Sequence, residues 1–429
     1  MLIPLATHNY DIPFWATTIQ HAQSGSGLYE LRGYYYTPVW GYILGFLGMI
    51  ANFLFDMFSY GTMADSLIPS ITADWEYYGT MVISPGFSIF IKIVITIFDI
   101  LCGYLIYVIV RKFGYDEKKA TLAFGLWFLC PIVIYTTAVH GMFDNISIFF
   151  MLLTLLMMMD RRYFLAGVMF SLSAFTKYFP AYLIFILFIY IIKTNKDRDS
   201  KIKAVIWAIT GFVVATLLIL LPQFLEGTIS EAFGFVSNRV TSIDSTAESL
   251  WGLIASDGYF IVLILQPLIF AILILIAWKT YKMDDKAFRD NFMLMLLLSS
   301  TVIFLWTPAP TYLMVMLPFL IYIVVTAETP ARRRYMIPLV LISIIAALYA
   351  IGMHNYSMLF QDSIYHGLVS ADTILNGIAW LDVHIIPGVT RHSLISLVLG
   401  AAETIAIYSV FIVYIYNYRL EKVAKEVHG

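Results

Sequence analysis

Charge is what this chain has least of. Only 13% of its 429 residues are Asp, Glu, Lys or Arg, against about 25% in soluble globular proteins, while 60% are hydrophobic. That balance excludes a soluble globular protein and leaves a polytopic membrane protein. A net charge of −2 offers nucleic acid no electrostatic footing. Cysteine is almost missing as well: Cys102 and Cys130 both lie inside apolar runs, so no disulfide framework is expected and the redox compartment is not indicated. The start, MLIPLAT, is too short for an apolar signal core and has no basic residue, so no cleavable signal peptide is expected. Repeats with a period of about 20 to 50 residues are absent, as is any separate soluble domain.

What is present is a succession of apolar runs. The first, Val39 to Phe58, is long enough to cross a bilayer, yet residues 1–37 hold one basic residue, Arg32, and Gly33 to Ile91 hold none. The positive-inside rule therefore places both of its ends outside. We expect a re-entrant or interfacial hairpin there, with Gly41, Gly45 and Gly48 as bend points. Further runs near 87–110, 120–139, 145–159, 163–176, 179–192, 204–224, 258–278, 291–306, 309–327, 335–352 and 393–416 give eleven candidate spans. Basic clusters at Arg111–Lys119, Arg161–Arg162, Lys193–Lys203, Lys279–Arg289, Arg332–Arg334 and Arg419–Lys425 fall at every second boundary, which predicts an outside N-terminus and a cytoplasmic C-terminus. The expected organisation is one transmembrane domain over 1–429. Within it, 1–85 forms an outer loop with the re-entrant segment, and 86–429 forms the helix bundle.

The polar residues that interrupt this pattern are the candidates for chemistry. The stretch from Asn9 to Pro38 carries Asp11, His21, Glu30, Arg32 and three consecutive tyrosines, Tyr34 to Tyr36, and reads as one wall of an active site. Asp11 has the right chemistry for a general base, or is a solvated loop aspartate. Lys92 and Asp99 sit seven residues apart on one face of an apolar run, about 10.5 Å along it, too far for simple contact. Each is therefore expected to find another partner or to be bridged by water. The turn His140-Gly141-Met142-Phe143-Asp144-Asn145 supplies a base or cation-binding pair, or else caps the next helix. Between Arg162 and Lys193 the chain breaks at Lys177-Tyr178-Phe179-Pro180 into two legs of about 21 Å. That puts Lys177 below the outer surface, facing a wet cavity or an anion, or snorkelling to the interface. Arg239, Trp251, Arg391 and His392 lie in the two large outer loops, about 225–257 and 353–392, where arginines would suit a phosphate leaving group.

The order of Asp11, Leu28-Tyr29, Tyr34-Tyr35-Tyr36-Thr37-Pro38 and the Lys92/Asp99 spacing resembles the GPI mannosyltransferase I family of the GT-C superfamily. That family has an Asp-x-Asp followed by Tyr-x-Tyr-Thr-Pro. Asn9 stands in place of the first aspartate, so the catalytic carboxylate carries over to Asp11 alone. The His140 to Asn145 turn and Ser249-Leu250-Trp251-Gly252 are similar to loops of prokaryotic polyprenol-phosphate-mannose-dependent transferases. Members have a transmembrane helix before the acidic loop, whereas ten residues precede Asp11 here.

The resemblance implies an all-α GT-C-like enzyme that moves a hexose, mannose first among them, with inversion. The donor would be a polyprenyl- or dolichyl-phosphate sugar, and the acceptor a glycan or lipid-linked hydroxyl at the outer or lumenal face. Asp11 would be catalytic. Tyr36, His140, Asp144, Asn145, Lys177, Arg239, Trp251 and Arg391 would bind donor phosphate or acceptor. Asp11 and Asp144 are the candidates to hold a divalent cation, Mg or Mn, whose use the sequence leaves open. The setting would be a prokaryotic cell membrane or the endoplasmic reticulum membrane. A transporter or lipid flippase is the rival reading. It predicts repeated halves and midplane charges, whereas the polar residues here gather on the outer side.

Overall fold

The computed structural model describes residues 11–31, 34, 36–54, 61–63, 81–83, 85–233, 266–305, 310–353 and 391–428. Its first element, α1 (Asp11–Gln23), arises because Ile12, Trp15, Ala16 and Ile19 recur at helical spacing, and all four are buried. A 3-10 turn at Leu28–Glu30 leads towards α2 (Pro38–Leu54), which opens on a proline at its first position.

Helix α2 corrects the expected hairpin, for it runs unbroken through Gly41, Gly45 and Gly48. The glycines serve packing instead. A Cβ on Gly41 would strike Leu28 and Tyr34, and one on Gly48 would strike Ile19 and Gln23, so the stripe lets α1 and the turn lie flat on α2. Its 17 residues rise about 25 Å, short of a bilayer core of roughly 30 Å. A second departure is a small antiparallel ladder, β1 (Gly61–Met63) with β2 (Met81–Ile83), in register Gly61↔Ile83, Thr62↔Val82 and Met63↔Met81. The rest of the described chain is helical or turn.

Helix α3 (Pro85–Lys112) is followed by α4 (Glu117–Phe128), whose first turn is capped by the Asp116 carboxylate accepting from the Lys119 N–H. Next come α5 (Pro131–Ile134) and a π turn at Tyr135–Val139. The chain bends by 42° between Phe128 and Pro131, because the residue before a proline is pushed out of the helical region and Cys130 accordingly has ψ 124°.

Then follow α6 (Asp144–Met159), α7 (Tyr163–Thr176), a 3-10 turn at Phe179–Leu183, α8 (Ile184–Thr194) and α9 (Arg198–Glu226). The C-terminal half holds α10 (Gln266–Lys282), α11 (Asp285–Val302), a 3-10 turn at Pro310–Val315, α12 (Leu317–Val325), α13 (Pro330–Arg333), α14 (Met336–Met353) and α15 (Arg391–His428).

Each of the eleven apolar runs carries helix, but eleven full crossings do not follow. Among the described residues, Gly86–Lys112 and Arg198–Glu226 are each long and apolar enough to span, and the bent pair around Pro131 makes a third. Helices α6 and α7, at 16 and 14 residues, rise only about 24 and 21 Å. They cross closely. Gly167 and Gly211 let α7 and α9 bring backbone against backbone, while Ser147 and Ser173 exchange hydrogen bonds with each other's carbonyls at 2.9 and 2.7 Å across α6 and α7.

The basic clusters gather at one end. Lys112 pairs with Asp160, Lys119 with Glu328 at 3.3 Å, and Lys193 donates to Met283 O at 2.5 Å. Arg332 donates to Asp290 O at 2.5 Å, and Arg334 to Asn417 Oδ1 at 2.7 Å. Among the described residues two hydrophobic cores result. The large one joins α3 through α15, and a smaller one unites α1, α2 and the start of α3 with Phe143 and Ile146.

Candidate active site

The candidate site lies at the other end of α6 and α7, away from the basic clusters. Its floor is the turn from the π element into α6. The His140 N–H reaches back five residues to Tyr135 O at 2.8 Å, and Met142 N–H bonds Thr136 O at 2.9 Å. Gly141 takes φ +78°, and a Cβ there would strike Ile12, so α1 settles directly on the turn. Trp15 Nε1 closes the contact by donating to Gly141 O at 3.1 Å. π turns of this kind recur at functional sites.

Asp11, first residue of α1 and buried, meets this floor. Its Oδ2 lies 2.6 Å from His140 Nε2, and its Oδ1 accepts from the Tyr36 hydroxyl at 3.2 Å. A carboxylate at a helix N-terminus also gains from the macrodipole. Tyr36 is itself braced. The Tyr29 hydroxyl donates to Tyr36 O at 2.9 Å, and the Tyr34 hydroxyl donates to Thr37 O at 3.2 Å. Burial drives both of those phenols well above the usual tyrosine range, so they remain neutral donors.

Asp144 belongs to a second pair. The sequence joined His140 and Asp144 as one base or cation-binding pair; the structure separates them, His140 going to Asp11 and Asp144 to Lys177. Lys177 Nζ sits 3.3 Å from Asp144 Oδ1, and among the described residues no hydroxyl, amide or backbone N–H donates to that carboxylate. The capping alternative also fails, since the N-cap is Phe143, with no side-chain cap bond.

Lys177 is held in extended backbone where α7 ends, its side chain 7% exposed, and so does not snorkel. Its ammonium lies over Phe143, Tyr312 and Tyr36 at 4.9, 5.0 and 5.7 Å, each a cation–π contact. Phe143 in turn stacks on Trp40 at 4.6 Å and meets Trp15 edge-on at 5.5 Å.

Beneath lies a third polar cluster. Asn145 points away from the site, donating to Ile95 O at 2.7 Å and to Asp99 Oδ1 at 2.8 Å. The Thr137 hydroxyl, 2.5 Å from Asp99 Oδ2, also reaches Val133 O at 2.8 Å. Asp99 thus finds partners other than Lys92. Lys92, fully buried, runs under the turn, its Cε 3.9 Å from where a Cβ on Gly141 would stand.

Of the remaining candidates, Arg239 and Trp251 lie outside the described residues, as does Asn9, and Arg391 opens α15. Sequence reasoning missed Tyr312, Trp40 and Phe143. For Tyr312 the available signal was the pair Pro308 and Pro310 breaking an apolar run.

The described residues offer a divalent cation no ready-made set of ligands. Among the described residues no three His, Cys, Asp or Glu side chains come together. Asp144 already has an ammonium beside it, and Asp11 is turned to His140.

Two comparisons bear on this arrangement. A stretch of 117 residues is 29% identical to GPI mannosyltransferase 1 of Saccharomyces cerevisiae, covering 27% of this chain and 28% of that protein. Residues 82–308, more than half of the chain, match glycosyltransferase family 87, and they include His140, Asp144, Asn145 and Lys177, with Asp11 and Tyr36 ahead of them. The chain spans little more than a quarter of the length of the curated relative it matches. A helical membrane scaffold with a polar cluster at one end, matched over more than half its length, therefore belongs to glycosyltransferase family 87.

Proposed function

We propose that this chain moves a hexose, mannose in the first instance, from a polyprenyl-phosphate sugar to an acceptor hydroxyl, with inversion, at the membrane face opposite its basic clusters. The observation that carries the reading is the buried Asp11 carboxylate, fixed by His140 and Tyr36 beside the Lys177–Asp144 pair. A carboxylate offers about four lone-pair sites, so two engaged partners leave Asp11 able to accept an acceptor O–H. As that proton passes to Asp11, the acceptor oxygen bonds the anomeric carbon from the side opposite the phosphate. The bond from that carbon to the phosphate oxygen breaks, and the polyprenyl phosphate leaves with one more negative charge.

Lys177 is the cation suited to that growing charge, since an interaction strengthened in the transition state speeds the step. The buried Asp144 oxygens, open to further donors, suit sugar hydroxyls. The mannose assignment rests on the name of the yeast relative. The setting is a prokaryotic cell membrane or the endoplasmic reticulum membrane. The scheme uses no metal.

The test is transfer by proteoliposomes offered polyprenyl-phosphate mannose, polyprenyl-phosphate glucose and nucleotide sugars. Transfer from polyprenyl-phosphate mannose, about 100-fold or more slower in Asp11→Asn, is expected. Transfer from a nucleotide sugar alone would sink the donor assignment.

A further inference from the structure

At the basic end, far from Asp11, α10, α11, α15 and the stretch from Thr326 to Tyr335 enclose a cleft of about 540 Å³. Lys279 and Arg332 line it together with Asp290 and Glu328. Glu328 is already engaged by Lys119 at 3.3 Å, so the three cations outnumber the two carboxylates and leave one positive charge over. Lys279 donates to the Tyr414 hydroxyl and lies over Tyr414 and Tyr418 at 5.0 and 4.5 Å, which holds the ammonium in place without neutralising it. Arg332 donates one N–H to Asp290 O, and a guanidinium has further donors to offer.

The surroundings separate a lipid from a soluble anion. Trp278, Tyr281 and Tyr416, close in sequence to the lining residues Lys279, Met283 and Asn417, are exposed, and aromatic residues so placed mark head-group depth. About one turn nearer the middle of the same two helices, Ile274, Leu275 and Ile412 are exposed too, giving acyl chains a surface.

We propose that this cleft binds an anionic phospholipid of the adjoining leaflet, its phosphate between Lys279 and Arg332 and its chains along α10 and α15. The site is independent of the sugar-transfer reading.

Purified full-length protein is titrated with phosphatidylglycerol, phosphatidylcholine and glycerol phosphate, and bound molecules are counted by native mass spectrometry. The expected result is selective uptake of phosphatidylglycerol. It should be kept by the double variant Lys279→Arg with Arg332→Lys and weakened about 10-fold or more by Lys279→Gln with Arg332→Gln. Equal uptake of phosphatidylcholine, or undiminished uptake by the glutamine variant, would overturn the site. Equal uptake of glycerol phosphate would make it a soluble-phosphate site and overturn the lipid. Should the glutamine variant not fold, the three-ligand comparison on the wild-type protein still decides.

Discussion

Asp11 and His140, 129 positions apart in the chain, stand 2.6 Å from each other across the join between α1 and the π turn. One is placed by the start of a helix and the other by a widened helical turn, so the contact is made by the docking of α1 on that turn.

Asp11→Asn should keep the fold, because amide and carboxylate have the same shape, and should lower transfer by about 100-fold or more, the scale of losing a general base. His140→Ala should act through the same unit. In the double variant the losses should fall well short of multiplying. Multiplying losses, measured as initial rates, would mean that the two residues act separately.

Lys177 and Asp144 should be coupled in stability. Removing one partner of a buried ion pair strands the other charge and costs about 3–5 kcal/mol, whereas replacing both with apolar side chains is often neutral. Lys177→Met alone should therefore lower the unfolding temperature in detergent, and adding Asp144→Leu should restore most of it while activity stays lost. Equal stability of the single variant and wild type would show that the pair is not an ionic one.

Asp99 touches no candidate reacting group, yet it fixes Asn145 at the start of α6 and Thr137 in the π turn. Asp99→Ala leaves one buried N–H of Asn145 unmet, since Thr137 can still donate to Val133 O, and such a group costs about 1–3 kcal/mol. The expected signature is a fall in the maximal rate with little change in donor KM, partly rescued by Asp99→Asn. A change confined to donor KM would place Asp99 in binding instead.

Topology gives a direct check on the first 85 residues. Cysteines placed at Ser24, exposed just after α1, and at Ser66, outside the described residues, should both react with an impermeant thiol reagent added outside intact cells. Protection of Ser66 alone would make α2 a crossing.

The residue types of the site were legible because polar side chains in so apolar a chain are conspicuous: Asp11, His140, Asp144 and Lys177 all come to one end. Their pairing was not, since which carboxylate meets which cation is decided by packing between segments 33 and 129 residues apart. The glycines of α2 misled for a related reason. A glycine that permits a bend and one that permits close approach look the same in sequence, and only the presence of Leu28 and Ile19 above them tells which it is. Strands of three residues, like β1 and β2, are too short for an alternation to register.

The two cores described above predict that α1 and α2 open as a unit separate from the bundle. Asp11 rides on the small unit with α1 and α2, while Lys177 is rooted in the large one. Undocking α1 and α2 would carry the carboxylate away from His140 and uncover the aromatic rings around Lys177, leaving the bundle folded. Hydrogen exchange should accordingly show the amides of α1 opening well before those of α6, and a bound lipid phosphate should close that gap. Were exchange so ordered, the base would be assembled only while α1 is docked on the turn at Gly141.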